Sequence, residues 1–276
     1  MDATLTNSSF PATAATTTDC SERPDARALA EFLADYSAYL LGCGATTMRL
    51  EKNIERMARV WDCEADLFTL PRHIHLTVRC KRSREPIIIN VAVPAVPINF
   101  AINTSLSNLS WKVADGKVTF HDAVALFRRI THVRPQNHAL LMLAVAAANA
   151  SFCRLFGGDA VAMLIVAVAT FCGYFLKLTM VRHHIDVRLV VLTCAAVSSI
   201  LAAGDFLFGL SGTPELAVGT SILYLVPGIP FINSFSDLFN RHYICAFSRF
   251  LDAVVLTACL SLGLCIGMAL MKVSMF

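Results

Sequence analysis

The stretch LVPGIPFINSFSD, Leu225 to Asp237, lies in the most apolar half of the chain. Two prolines three residues apart, a glycine, an asparagine and an aspartate interrupt a segment whose neighbours are long apolar runs. Whether it counts as a membrane span decides the architecture. Of the 276 residues, 56% are hydrophobic, against about 45–50% in soluble domains. The excess follows His138, in runs of about 20 residues with few charges, the signature of transmembrane helices. With the interrupted stretch included, five spans are expected, near residues 138–156, 159–177, 188–209, 214–236 and 247–271. The expected fold is therefore an α-helical integral membrane part, residues 136–276, behind an N-terminal α+β domain.

The break has an expected depth. From Leu216 to Pro227 a helix rises about 16 Å, half of a hydrocarbon core of roughly 30 Å. Pro227 then lies near the midplane and Asp237 near the inner face. Pro227 and Pro230 lack the N–H groups that would satisfy the carbonyls of Leu223 and Val226. Such backbone is tolerated only against protein or a wet cavity, and transporters place discontinuous helices at their substrate sites. Asn233 and Asp237, four apart, share one helix face. The candidate substrate and ion pathway is Pro227, Gly228, Pro230, Asn233 and Asp237, with Arg249 and Asp252, three apart and able to pair, and Asp205 toward the outer end of the third span. Charges inside a membrane point to function. The plainer readings are a packing kink, an interfacial Arg249–Asp252 pair and an Asp205 that reaches the outer interface.

Orientation follows from basic residues. With the N-terminus inside, the inner loops hold Arg128, Arg129, Arg134, Lys177, Arg182, Arg188, Arg241 and Arg249, and the outer side holds Arg154 and Lys272. The positive-inside rule selects N-terminus in, C-terminus out.

Residues 1–23 are Thr/Ser/Ala-rich, lack a basic n-region and an apolar core, and read as a disordered tail rather than a secretory signal. Residues 24–135 form the expected cytoplasmic domain. Leu29, Phe32, Leu33, Tyr36 and Leu40 repeat with helical spacing, as do Leu50, Ile54, Met57 and Trp61. The wet side of that second helix carries Arg49, Glu51, Lys52, Glu55 and Arg56. ADLFTL, HIHLTVRC and PIIINVAV read as strands. A helix with Ile98, Ile102, Leu106, Leu109 and Val113 follows. Thr119 and Asp122 then fit a capping box before a helix with Ala123, Phe127 and Ile130 inward. About 110 residues suffice for one core.

Other chemistry is thinly represented. A net charge of +3 without a clustered basic face argues against nucleic acid. The cysteines show no C-x-x-C, and Cys20, Cys43, Cys63 and Cys80 read as reduced thiols. His73 and His75 share a strand face with Cys80 following, but no third metal ligand has recognisable spacing. No cofactor is expected. Phosphate-loop and hydrolase motifs are absent from the sequence, which argues against an enzyme.

GATTMRLEKNIERMARVW, KVTFHDAVALFRRI, SFCRLFGGD and LVPGIPFINSFSDLFNRHYICAFSRFLDA together resemble, in order and over almost the whole chain after the tail, the threonine/serine exporter family. The length and span count resemble its larger, YjjP-like split subunit. That resemblance implies a bacterial cytoplasmic-membrane exporter acting with a small, YjjB-like membrane subunit. Its substrate would be a succinate-type dicarboxylate or, alternatively, threonine or serine. It carries Pro227, Gly228, Pro230, Asn233, Asp237 and Arg249 as the matching site positions. The chain departs from the family pattern near Arg241 and at Ala246 or Phe247, where glycines are usual. A homo-oligomer is left open. The reading of a different class is a membrane-anchored sensor or scaffold.

Overall fold

The computed structural model describes residues 24–70, 72–81, 85–132 and 137–273. The proposed tail, residues 1–23, and residues 82–84, between the second and third expected strands, lie outside these residues. The first helix, α1 (Ala26–Gly42), buries Leu29, Leu33, Tyr36 and Leu40. α2 (Thr47–Val60) buries Leu50, Ile54 and Met57 and starts at Thr46, whose side chain accepts from the Arg49 N–H. Three strands, β1 (Cys63–Thr69), β2 (His73–Cys80) and β3 (Ile87–Ala92), form an antiparallel sheet in that order. β2 is central and turns Ile74, Leu76 and Val78 onto the helices. α3 (Phe100–Ala114) is capped by Asn99, whose side chain accepts from Ala101 and Ile102. Ile98 therefore falls outside the helix expected to contain it and is 44% exposed. α4 (Phe120–Thr131) opens with the expected Thr119–Asp122 capping box. Phe32, Tyr36, Tyr39, Phe120 and Phe127 meet as an aromatic cluster in the common core of these elements.

One expectation fails here. Cys63 and Cys80 are joined in a disulfide and are not reduced thiols. The β1–β2 register sets them directly opposite, with Cα atoms 4.1 Å apart, close to the spacing of a non-hydrogen-bonded antiparallel pair. Spacing along the sequence could not show that adjacency.

The second half is a helical bundle: α5 (His138–Leu155), α6 (Ala160–Arg182), α7 (Val187–Phe208), α8 (Pro214–Ser221), a 3₁₀ turn (Leu223–Leu225), α9 (Gly228–Phe239) and α10 (Tyr243–Leu270). Among the described residues, α5, α6, α7 and α10 are long and apolar enough to cross a membrane, and the pair Pro214–Leu225 and Gly228–Phe239, bent by 60°, makes up to a fifth. The polarity is inverted relative to a soluble core. Asn149, Thr170, Ser198, Ser199 and Ser221 are buried, whereas Leu140, Leu164, Phe175, Phe208, Phe247 and Leu262 point outward. An apolar exterior of this extent needs a lipid or protein covering.

The path of the bent pair follows from its neighbours. Gly263 and Gly267 of α10 lie against α7, and a Cβ at Gly263 would collide with Leu192 O and one at Gly267 with Ser199 Oγ. Small residues four apart allow such close backbone approach. The contacts advance together along both helices, so α7 and α10 run parallel. The segment between two parallel helices has to return from one end of the bundle to the other. Its first end is fixed at the α5–α6 turn, where Asp159 Oδ2 accepts from the Gly212 N–H at 2.8 Å. Its other end abuts the loop between α1 and α2.

Candidate functional site

The backbone break is built from Pro227. Pro227 is buried and precedes the first residue of α9, Gly228. The carbonyls expected to be orphaned are satisfied locally. Leu223 O accepts from the Val226 N–H at 3.2 Å, and Val226 O from the Gly228 N–H at 2.9 Å. Tight turns replace the lost helical bonds, so the break does not depend on a wet cavity for its backbone. Pro230 lies inside the first turn of α9, where a missing N–H costs little.

From the break, α9 carries Asn233 and Asp237 on one face to the loop between α1 and α2. Asn233 Nδ2 donates to Gly44 O at 2.9 Å. Asp237 is fully enclosed. Its Oδ1 accepts from the Thr47 N–H at 3.0 Å and its Oδ2 from Arg249 Nη1 at 2.7 Å. Arg249 Nη2 donates to Ala45 O at 3.0 Å. The Asp237 carboxylate thus sits at the positive end of α2 and against a guanidinium, the two features that make an anion slot. Gly44 adopts φ +89°, which gives this loop the left-handed turn it needs. The Thr47 hydroxyl is buried beside the slot and meets no hydrogen-bond partner among the described residues.

The expected Arg249–Asp252 pairing does not form, because Arg249 turns to Asp237 and Ala45. Asp252 is exposed and shares with Arg249 a cavity of about 450 Å³ whose other walls include Arg72, Ser248, Gly42 and Val96. This volume is in the range of small-molecule sites. At the edge of the junction, His242 Nε2 lies 3.3 Å from Glu51 Oε2. Burial pushes the Glu51 carboxyl above the usual glutamate range; nearby His242 opposes this, while Asp237 and Glu55 add to it. Arg241, just before His242, has φ +66°.

Asp205 belongs elsewhere. It is buried, and accepts from the Ser211 N–H at 2.8 Å and from the Ser211 hydroxyl. Its bonds close the turn after α7 and involve none of the residues at the junction. Lys177 also departs from expectation. Placed by sequence in an inner loop, it lies within α6, which continues to Arg182. Its ammonium is 5.5 Å from the Tyr174 ring centroid and 6.0 Å from that of Tyr224, a cation–π arrangement. Tyr224 belongs to the 3₁₀ turn before Pro227 and lies 3.0 Å from Ser198 Oγ. Among the described residues no carboxylate pairs with Lys177. Arg72, Glu51, His242, the 44–47 loop and Lys177 were not singled out by sequence as site members. Of these, Lys177, a lone cation in an apolar run, and the GATT stretch at 44–47 left a local signal.

Comparison with known proteins adds the family. Residues 31–271 match the family described as "Putative threonine/serine exporter". The chain is 28% identical over 146 residues to the "Probable succinate transporter subunit YjjP" of Escherichia coli K12, covering 52% of this chain and 56% of that protein. It is 27% identical over 149 residues to the protein of the same name from Klebsiella aerogenes, covering 52% and 57%. The chain spans little more than half the length of these curated relatives. No solved structure matches it.

Proposed function

Because the chain is a multi-pass membrane protein and belongs to the threonine/serine exporter family, we propose that it exports a small carboxylate metabolite from the cytoplasm of a bacterium across the inner membrane. The curated relatives are named for succinate and as subunits. A succinate-type dicarboxylate, moved together with a small YjjB-like membrane partner, is therefore the first reading, and threonine or serine the second.

The observation that carries the proposal is the Asp237–Arg249 pair on the α2 N-terminus. Asp237 occupies a slot suited to a carboxylate, made by the Thr47 amide and the Arg249 guanidinium. A substrate carboxylate entering the cavity beside Arg249 and Arg72 competes with Asp237 for the same donors. Displacing Asp237 frees α9 from the 44–47 loop and lets the two halves of the bent pair move at Pro227–Pro230. The released Asp237 or the exposed Asp252 carries a coupling proton. Such coupling of substrate occupancy to helix release is a form of alternating access.

The basic residues favour a cytoplasmic N-terminal region, a compartment that keeps thiols reduced. The Cys63–Cys80 bond bears on this directly, since such a bond does not persist in a reducing compartment. Both thiols modified by maleimide in intact, quenched cells support the orientation; a bonded pair in freshly lysed cells reverses it.

Efflux of preloaded succinate, malate, threonine and serine, with this chain alone and with the small partner, tests the function. Dicarboxylate efflux only with the partner is expected. Amino-acid efflux selects the second reading. No efflux of any substrate, with both subunits in the membrane, leaves the sensor or scaffold reading in place of transport.

A further inference from the structure

The wet side of α2 divides into two unlike edges. On one, the acids are engaged: Glu51 faces His242 and Glu55 pairs with Arg59. On the other, Arg49, Lys52 and Arg56 stand at intervals of three and four residues and face α3. Both arginines are fixed there by neutral groups. Arg49 Nη1 donates to Asn103 Oδ1 at 2.9 Å. Arg56 Nη1 donates to Asn53 Oδ1 at 3.0 Å and to Ser110 Oγ at 2.6 Å, and its guanidinium stacks on Trp111 with Cζ 3.7 Å from the ring centroid. Asn53 is itself held, being buried and donating to the Tyr36 hydroxyl and Ser107 Oγ.

The result is a groove of about 390 Å³ lined by Arg49, Lys52, Asn53, Arg56, Ser107 and Trp111. Three cations meet there with no carboxylate among its lining residues. Among the described residues nothing accepts from Nε or Nη2 of either arginine, and Lys52 has no partner. Holding like charges together costs free energy unless an anion compensates them, and side chains locked by neutral hydrogen bonds are already positioned for one. The concavity suits a molecule of a few heavy atoms rather than a polymer.

We propose that the α2–α3 groove binds a small dianion, a dicarboxylate or inorganic phosphate, at a site distinct from the Arg249 cavity. The inference does not rest on the exporter reading, and its test does not use transport. Trp111 supplies the signal, since a ligand on Arg56 alters the cation stacked on its ring. The full-length protein in detergent, with Trp61→Phe to leave Trp111 as sole tryptophan, is titrated with succinate, inorganic phosphate, serine and ionic-strength-matched chloride. A saturable fluorescence change with succinate or phosphate, and none with serine or chloride, is expected, and the tighter of the two identifies the source. Lys52→Gln removes no contact of the fold and is expected to weaken binding about threefold. Arg56→Gln is expected to weaken it tenfold or more. A response no greater than that of chloride overturns the proposal, as does a dianion titration left unchanged in Lys52→Gln and Arg56→Gln.

Discussion

Asp205 and Asp237 are both carboxylates enclosed in the helical half, 1% and 0% exposed, yet they are held in opposite ways. Asp205 finds its donors six residues away, in the amide and hydroxyl of Ser211. Asp237 finds one donor on Arg249, 12 residues away, and another on Thr47, 190 residues away. The first arrangement closes a turn and needs nothing else from the molecule. The second joins the broken helix, α10 and the N-terminal region through one ion pair. Burial alone therefore does not distinguish the two carboxylates; the distance over which their partners are recruited does.

Breaking the second arrangement is expected to have the largest effect. Asp237→Ala leaves the Arg249 guanidinium, 19% exposed, without its counter-charge, and removing one member of a buried pair costs about 3–5 kcal/mol. Denaturation in detergent is expected to show that loss, and efflux to be abolished. Asp205→Ala strands the Ser211 N–H, at about 1–3 kcal/mol, while the efflux of each folded molecule stays near wild type. If Asp205→Ala abolishes efflux from correctly folded protein, the contrast between the two sites is lost.

Smaller changes sharpen the picture. Asn233→Ala removes the bond to Gly44 and is expected to cost about 0.5–1.5 kcal/mol, with a partial loss of efflux. A double-mutant cycle of Asn233→Ala and Thr47→Val should show coupling if the 44–47 loop and α9 act as a unit; strict additivity would separate them. The smallest effect concerns pH. A carboxyl whose folded pKa lies above its unfolded value binds its proton more tightly when folded, so stability falls as pH rises through the raised value. Glu51, displaced upward mainly by burial, contributes such a decline. Glu51→Gln is expected to flatten the pH dependence of the melting temperature above the ordinary glutamate range; an unchanged slope removes Glu51 as its source.

Much of this was legible in the sequence. Apolar periodicity located the helices of both halves, and the Thr119–Asp122 spacing named a capping box that is present. Pro227 and Pro230 marked the break because proline acts on its own backbone. What stayed hidden depends on partners far along the chain. Arg249 looked paired to Asp252 because helical spacing counts only near neighbours, whereas Arg249 reaches Asp237 and Ala45. The Cys63–Cys80 bond needed the strand register, and the two edges of α2 needed α3 in place. Lys177 was displaced by a boundary, since α6 runs beyond the apolar run that defined the span.

The most direct test of the central claim compares efflux of preloaded dicarboxylate by Asp237→Asn and Asp205→Asn, with the small partner present and at equal amounts of each variant in the membrane. Asn preserves the shape of each side chain, removes the charge and turns one accepting oxygen into an NH2 donor. Asp237→Asn is expected to be silent or uncoupled from pH while Asp205→Asn exports. Normal efflux by Asp237→Asn at every pH would contradict it and remove the Asp237–Arg249 pair from the transport cycle.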